Sequence, residues 1–333
     1  EITLTVKAIL DDALGVGRLN LNPNQQLPMN AFMSLDTLQR ALDLNQTRDR
    51  KTRTVTPARV NTLFVAAKSK ADREGDKAPA AANRLTHLLT ERWTLADLEL
   101  RVAANEKRQY LSLESEQQIL SVEFAAAGRR TAERLDLQHA SSLVYLANKI
   151  AGSKESAKFS RYSIVAGLDM AEPPDFDAFT FAAGGPPTDK EIVLDSWLAD
   201  DLGVHIGDDV NLWYYEVGNH GDLPEQKRTF KLSGIVEMTG SAIDSGLTPS
   251  VKGITDVETF DEWDAPFTMK KVTDRDDDFW DEYRATPKAF VTLSTAQTLW
   301  RSRYGQLTSV RVSPPKAESL EESAEIYSRE VLN

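Results

Sequence analysis

The chain has 333 residues, a net charge of −12, 41% apolar and 27% charged residues, and no cysteine. Those proportions describe a folded protein with room for about two domains, at roughly 100–200 residues each, and they exclude disulfides and thiolate metal sites. So acidic a balance argues against a nucleic-acid backbone or an anionic membrane surface as partner, since both call for clustered Lys and Arg.

In chain order, Val6–Leu10 reads as the end of a strand, and the Pro/Asn-rich stretch 20–28 as a loop. A short helix follows within 30–42, an exposed charged excursion over 48–59, and a strand at Val60–Val65. After a polar loop, the spacing of Leu85, Leu88, Leu89 and Trp93 predicts a helix over Ala80–Trp93 with one apolar face. Leu98–Val102 is the next strand. The Glu/Gln/Ala/Arg-rich stretch Ser115–Leu135 predicts a helix, and Ser142–Ala147 and Tyr162–Leu168 predict strands. Gly184–Pro187 marks a turn before the strand Ile192–Leu194. Asp195 caps a helix that stops at Gly203, and Gly207–Val210 turns into the strand Asn211–Tyr215. A hairpin tip near Asn219–Gly221 returns the chain to Thr229–Met238. Residues 239–286 carry few periodic signals and read as a long irregular insert; Ala317–Leu332 is a final helix.

One segment occurs twice. Asn30-Ala-Phe-Met-Ser-Leu-Asp-Thr-Leu-Gln-Arg-Ala-Leu42 is matched by Lys288-Ala-Phe-Val-Thr-Leu-Ser-Thr-Ala-Gln-Thr-Leu-Trp300, identical at Ala, Phe, Leu, Thr and Gln without a gap. The flanks agree in order: Val6–Leu10 with Phe230–Val236 before, Val60–Val65 with Leu307–Val312 after. The expected fold class is therefore α+β, built from two related βαβ-containing modules at 1–105 and 106–333. Glu191–Leu212 has no counterpart ahead of the first copy, so that module is expected to be incomplete at its N-terminus and the chain to be cut from a larger protein. Alternation in Ala-Phe-Val-Thr-Leu predicts that Phe32 and Phe290 are buried at equivalent positions.

Few residues carry a chemical signature. Asp274, Asp276, Asp278, Asp281 and Glu282 suggest an oxygen cage for a cation, but Phe279 stands where an EF-hand loop needs glycine and Ala285 where it needs glutamate. A solvated acidic face is the preferred reading. His87, His139, His205 and His220 are scattered without helical spacing, and no H-E-x-x-H is present. Gly240–Gly246 holds no G-x-S-x-G, and Gly15-Val-Gly17 lacks the rest of a dinucleotide fingerprint. No catalytic, cofactor or metal residue is assigned. The aromatics of the insert either pin it to its own domain or anchor a partner. Self-packing is preferred, with Trp263 and Phe267 turned inward, while Phe260, Trp263, Phe267 and Trp280 stand as candidate partner contacts.

Glu191-Ile-Val-Leu, Leu-Ala-Asp-Asp-Leu-Gly203, Ile-Gly-Asp-Asp-Val-Asn-Leu212 and Phe230–Val236, followed by Lys288–Gln297 and its earlier copy Asn30–Gln39, resemble the periplasmic core of MacB/FtsX-like ABC transporter permeases. Asp244–Pro249, Gly253–Asp256 and Trp263–Phe267 resemble a long-insert bacterial branch of them. The likeness covers most of 1–100 and 190–330. It implies a non-catalytic extracytoplasmic domain of a bacterial inner-membrane protein, joined to transmembrane helices of its own chain. Through those helices it would meet a cytoplasmic ATPase whose hydrolysis moves or releases a lipid, lipoprotein, peptide or drug. The alternative is a free-standing secreted or lipid-anchored binding module that uses the aromatic insert.

Overall fold

A computed structural model describes residues 5–10, 30–48, 53, 55–60, 77–152, 158–216, 223–251, 253–263, 270, 272–300, 305–317 and 319–333. The chain divides into two units, Glu1–His87 and Leu88–Asn333. The division falls ahead of the 105/106 boundary expected from sequence, because the strand near residue 100 pairs within the second unit.

In the first unit, α1 (Leu35–Ala41) begins at Ser34, whose Oγ accepts from the Thr37 amide at 3.2 Å. The charged excursion holds a small antiparallel pair, β1 (Thr47–Arg48) and β2 (Val55–Thr56). Gln39 Nε2 donates to the Arg59 carbonyl at 2.7 Å, just ahead of the segment read as a strand from sequence. Of that segment only Val60 is described, exposed and outside any strand; residues 61–65, like Phe267, His220 and Gly15–Gly17, lie outside the described residues. Crossing the unit division is α2 (Lys77–Thr90), where Leu85 is half-buried while Leu88, Leu89 and Trp93 stay exposed.

The second unit opens with β3 (Leu100–Asn105) and β4 (Tyr110–Ser115), an antiparallel pair. Sequence reading missed β4; every one of its residues is buried, since the sheet is covered where it runs. Next, α3 (Val122–Arg134) starts at Ser121, which accepts from the Phe124 amide, so the predicted helix loses its first seven residues to β4 and a turn. There follow β5 (His139–Gly152), β6 (Phe159–Leu168), β7 (Phe181–Gly184) and β8 (Glu191–Asp195). Asp195 caps α4 (Ser196–Leu202), and Gly203 ends it at φ +66°, a left-handed conformation that glycine adopts without a Cβ clash. The remaining elements are β9 (Asp209–Tyr215), β10 (Glu225–Val236), α5 (Asp274–Tyr283), β11 (Ala289–Thr292), α6 (Leu293–Leu299), β12 (Ser309–Val312) and α7 (Leu320–Val331).

Strand pairing yields two joined bodies. β3, β4, β12 and the first residues of β5 form an open antiparallel sheet. Tyr327 of α7 and Ala125 and Ala132 of α3 pack in one core with Leu111, Leu113, Val310 and Val312 of the sheet. The rest of β5 pairs with both β6 and β9, and the ladder then runs β6–β11–β8–β10–β9 back to β5. Six strands thus close a barrel, which leaves no free edge within the ring. Leu143, Val165, Ile192, Leu194, Val210, Leu212, Phe230, Leu232, Ala289 and Val291 share its core. Intervening residues point outward, as the period of two requires; Val193 and Phe290 belong to a separate cluster with Ala166 and Val236.

The ring has two matching halves. β8 runs parallel to β10 and β11 parallel to β6, whereas β8 meets β11, and β5 meets β9, antiparallel. Each half carries a strand, a capping residue and a seven-residue helix: β8, Asp195 and α4, or β11, Thr292 and α6. Leu198, Ala199 and Leu202 occupy on α4 the buried places that Thr295, Ala296 and Leu299 occupy on α6. This arrangement replaces the expected pair of βαβ lobes; the helical content and α+β class stand.

The sequence repeat is matched only over its helix. Ser34 and Thr292 both cap a seven-residue helix, and Gln297 Nε2 donates to the Gln306 carbonyl at 3.4 Å as Gln39 does to Arg59. The strand half differs. Residues 30–33 form no strand, and Phe32 is 54% exposed while Phe290 is fully buried. Phe290 owes its burial to β6 and β8 on either side of β11, and the described residues of the first unit supply no counterpart to either strand.

The barrel is tight where β6 meets α6. A Cβ on Gly167 would stand 2.2 Å from the Cβ of Ala296. Gly167→Ala is expected to cost about 1–3 kcal/mol through forced separation of helix and strand. Chemical denaturation checks this, and Gly167→Ala combined with Ala296→Gly should recover most of the loss.

Candidate functional site

The insert is more regular than its sequence suggests. Three short turns, at Gly240–Ile243, Ser245–Leu247 and Phe260–Glu262, lead to α5. Thr273 and Asp276 form a reciprocal capping box: the Thr273 hydroxyl accepts from the Asp276 amide at 3.1 Å, and the Asp276 carboxylate accepts from the Thr273 amide at 3.4 Å. Three acidic residues in the first turn suit the positive end of the helix dipole. The Thr-x-x-Asp spacing was a readable helix start.

Phe260, Trp263 and Trp280 pack together with ring centroids 4.8–5.2 Å apart, against Tyr162 and Ile164 of β6. Trp280 Nε1 donates to the Glu258 carbonyl at 2.9 Å. All three are buried, so they hold the insert onto the barrel and offer no face to a partner in this conformation.

The acidic run splits. Asp274 and Asp278 are exposed, as expected, but Asp276 is buried, which corrects the expectation that the whole run stays in solvent. The reason is a hidden cation. Lys288, at the head of the repeated segment, places Nζ 2.9 Å from Asp276 Oδ1 and 3.0 Å from Ser160 Oγ, between the rings of Trp197 (4.6 Å) and Phe279 (4.3 Å). Asp276 also accepts from the Arg161 amide at 3.0 Å, from the Thr273 hydroxyl at 2.8 Å and from the Ser160 hydroxyl. Burial raises the Asp276 carboxyl, but Lys288 and these donors outweigh it and hold it below the ordinary carboxylate value. Burial lowers the Lys288 ammonium against the pull of Asp276, so the two shifts oppose each other; the 2.9 Å contact and the shared donors, which only a carboxylate can accept, favour the ion pair.

Asp195 is the third member of this hub. Its Oδ1 accepts from the Leu198 amide at 2.6 Å, while Oδ2 has no partner among the described residues. Burial pushes its pKa up to about 7 against the pull of that amide and of Lys288. A raised carboxyl stabilises the fold fully below the ordinary value of about 3.9, and that contribution is lost as pH rises through about 7. Asp195→Asn is expected to flatten the fall in stability between about pH 4 and pH 7. Denaturant midpoints across that range check it; an unchanged slope would contradict the assignment.

A second buried ion pair joins β12 to the turn ahead of β7, and neutral donors beside it secure the insert's near end. Arg311 of β12 makes two bonds to Asp177, at 2.6 and 2.7 Å, with both side chains essentially inaccessible. Tyr110 donates to Asp244 at 2.8 Å, and Asn105 donates to its other oxygen at 2.9 Å. Neither hub was legible as a site, because its members are far apart in sequence and each is an ordinary surface residue by composition.

Chemically the Lys288 hub is a lock. A Ser–Lys pair at 3.0 Å suits nucleophile activation only when the lysine is neutral and reachable, whereas Ser160 is fully buried and Lys288 is ion-paired. Among the described residues no group of His, Asp or Glu could hold a metal ion, and His139 and His205 each approach a single carboxylate at 3.9 Å. No helix among them is long and apolar enough to cross a membrane.

No protein-family model matches the chain, and no curated protein matches it. Among solved structures, it is similar to a domain described as coming from a permease of Porphyromonas gingivalis, at 10% identity and a TM-score of 0.28, over 58% of this chain and 70% of that one. A score that low carries no argument about fold or function.

Proposed function

We propose that the chain is a non-catalytic extracytoplasmic domain of an ABC transporter permease of the MacB/FtsX-like kind, passing motion of the membrane helices to an external cargo. The observation that carries this reading is the ordered set of motifs. Glu191–Gly203, Ile206–Leu212, Phe230–Val236 and Lys288–Gln297, each short in itself, make up β8 with α4, β9, β10, and β11 with α6 of one closed barrel. Motifs that resemble a family in order, and that also build a single body, support the family reading better than scattered matches would. A barrel with an insert locked to its wall is suited to transmit force, because its strands have no free edge along which to slip.

Fractionation of the intact gene product tests it. The reading expects a protein that stays with membranes until detergent is added and co-purifies with an ATPase subunit. A product released without detergent and free of any ATPase would favour the secreted binding module instead.

A further inference from the structure

Net charge hides a local exception. Register places Arg161 opposite Lys149, Lys149 opposite Trp213, and Trp213 opposite Lys227, across the neighbouring strands β6, β5, β9 and β10. Lys149 and Trp213 adjoin the core residues Ile150 and Leu212, and Lys227 stands an odd three positions from Phe230, so these three point out of the barrel; Arg161 shares the face of Lys149, its cross-strand partner, and both lie over the Phe159 ring. Strand spacing of about 4.8 Å makes the row roughly 15 Å long. Lys149 Nζ lies 4.8 Å from the Phe159 ring and 4.9 Å from that of Trp213; Lys227 lies 4.8 Å from Trp213, and Arg161 4.9 Å from Phe159. Lys227 is exposed and the others half-buried. No carboxylate among the described residues forms a salt bridge with any of the three cations. The nearest acid in register, Glu225, accepts from Asn148 at 2.8 Å.

We infer that this basic, aromatic face of the barrel docks on the anionic headgroups of a phospholipid bilayer. Two of the three cations are lysines, which protein–protein interfaces disfavour but which suit a lipid surface, where the stem lies on apolar ground and the ammonium reaches phosphate. Trp and Phe between them are the residues that settle at headgroup level. Carboxylates elsewhere on the acidic chain are screened beyond about 8 Å at physiological salt, so the row and not the net charge decides a contact at this face. α5 sets one border: its Asp276 meets the Arg161 backbone, and the exposed Asp274 and Asp278 confine the docking face to the side of Lys149 and Lys227. The inference rests on the permease reading in one respect, that such a domain sits beside a bilayer.

Co-sedimentation of the purified chain with phosphatidylcholine vesicles, with and without phosphatidylglycerol, tests it. Binding is expected only with phosphatidylglycerol and should weaken as salt is raised. Lys227→Gln should reduce it about five-fold, and Lys149→Gln with Lys227→Gln on the order of twenty-fold. Lys227 is exposed, so its variant keeps the fold, and Trp213→Ala should weaken binding without altering the salt dependence. Equal binding to both vesicle types, unchanged binding by the lysine variants, or binding of polyglutamate with none of vesicles would each overturn the inference. Those outcomes leave the permease reading to be decided by membrane fractionation.

Discussion

Asp276→Ala is expected to lower the stability of the second unit by about 3–5 kcal/mol, because it leaves the Lys288 ammonium buried without its counter-ion. Lys288 is 4% exposed and wrapped by two aromatic rings, so water cannot replace the carboxylate. The same change removes the acceptor for the Arg161 amide and one half of the α5 capping box. For a domain whose total stability is roughly 5–15 kcal/mol, that loss is large. Lys288→Met alone should cost a similar amount by stranding the carboxylate. The double variant Lys288→Met with Asp276→Asn should lie well above the sum of the singles, since Asn still accepts from Arg161 and neither site then holds a charge. Denaturant unfolding of the parent, Asp276→Asn, Lys288→Met and their double variant closes the cycle and gives the coupling directly, and losses below about 1 kcal/mol for Asp276→Ala and Lys288→Met would show that the hub does not hold the insert.

The second large effect separates the two copies of the repeated segment. Phe290→Ala is expected to cost about 3–5 kcal/mol, the usual penalty for emptying a filled aromatic site. Its ring lies 5.0 Å from Phe179 in an edge-on contact, within a core shared with Ala166, Leu168 and Val236. Phe32→Ala should change stability by no more than about 0.5 kcal/mol, because Phe32 is exposed. Equal effects at the two positions would mean that the first unit buries its phenylalanine in solution.

This contrast shows what the sequence could and could not announce. Caps are local: Asp195 was read as one from its carboxylate ahead of an apolar run, and the hydroxyls of Ser34 and Thr292, not read as caps, carry the same kind of signal; each of the three starts a helix. Burial is not local. Phe32 and Phe290 share their neighbours in sequence and differ in burial because only one has strands on both sides. Barrel closure was hidden for the same reason: β5 is fourteen residues long and serves β12 with one end and β6 and β9 with the other, a division no periodicity records. The self-packing preferred for Phe260, Trp263 and Trp280 followed from the cost of leaving large rings wet, and the structure buries them. The Lys288–Asp276 pair escaped notice since an acidic run suggests solvent, and its partner lies beyond the helix that the run begins.

The most direct measurement of the central claim is the side of the membrane on which the barrel stands. These 333 residues hold no cysteine, so Glu172→Cys, at an exposed position, is a single reporter thiol once any cysteine elsewhere in the intact gene product has been replaced by serine. In bacteria expressing the intact gene product, the account predicts labelling of that thiol by a membrane-impermeant maleimide that reaches the periplasm but does not cross the inner membrane. Labelling only after the inner membrane is broken would place the barrel in the cytoplasm and contradict the extracytoplasmic permease domain outright.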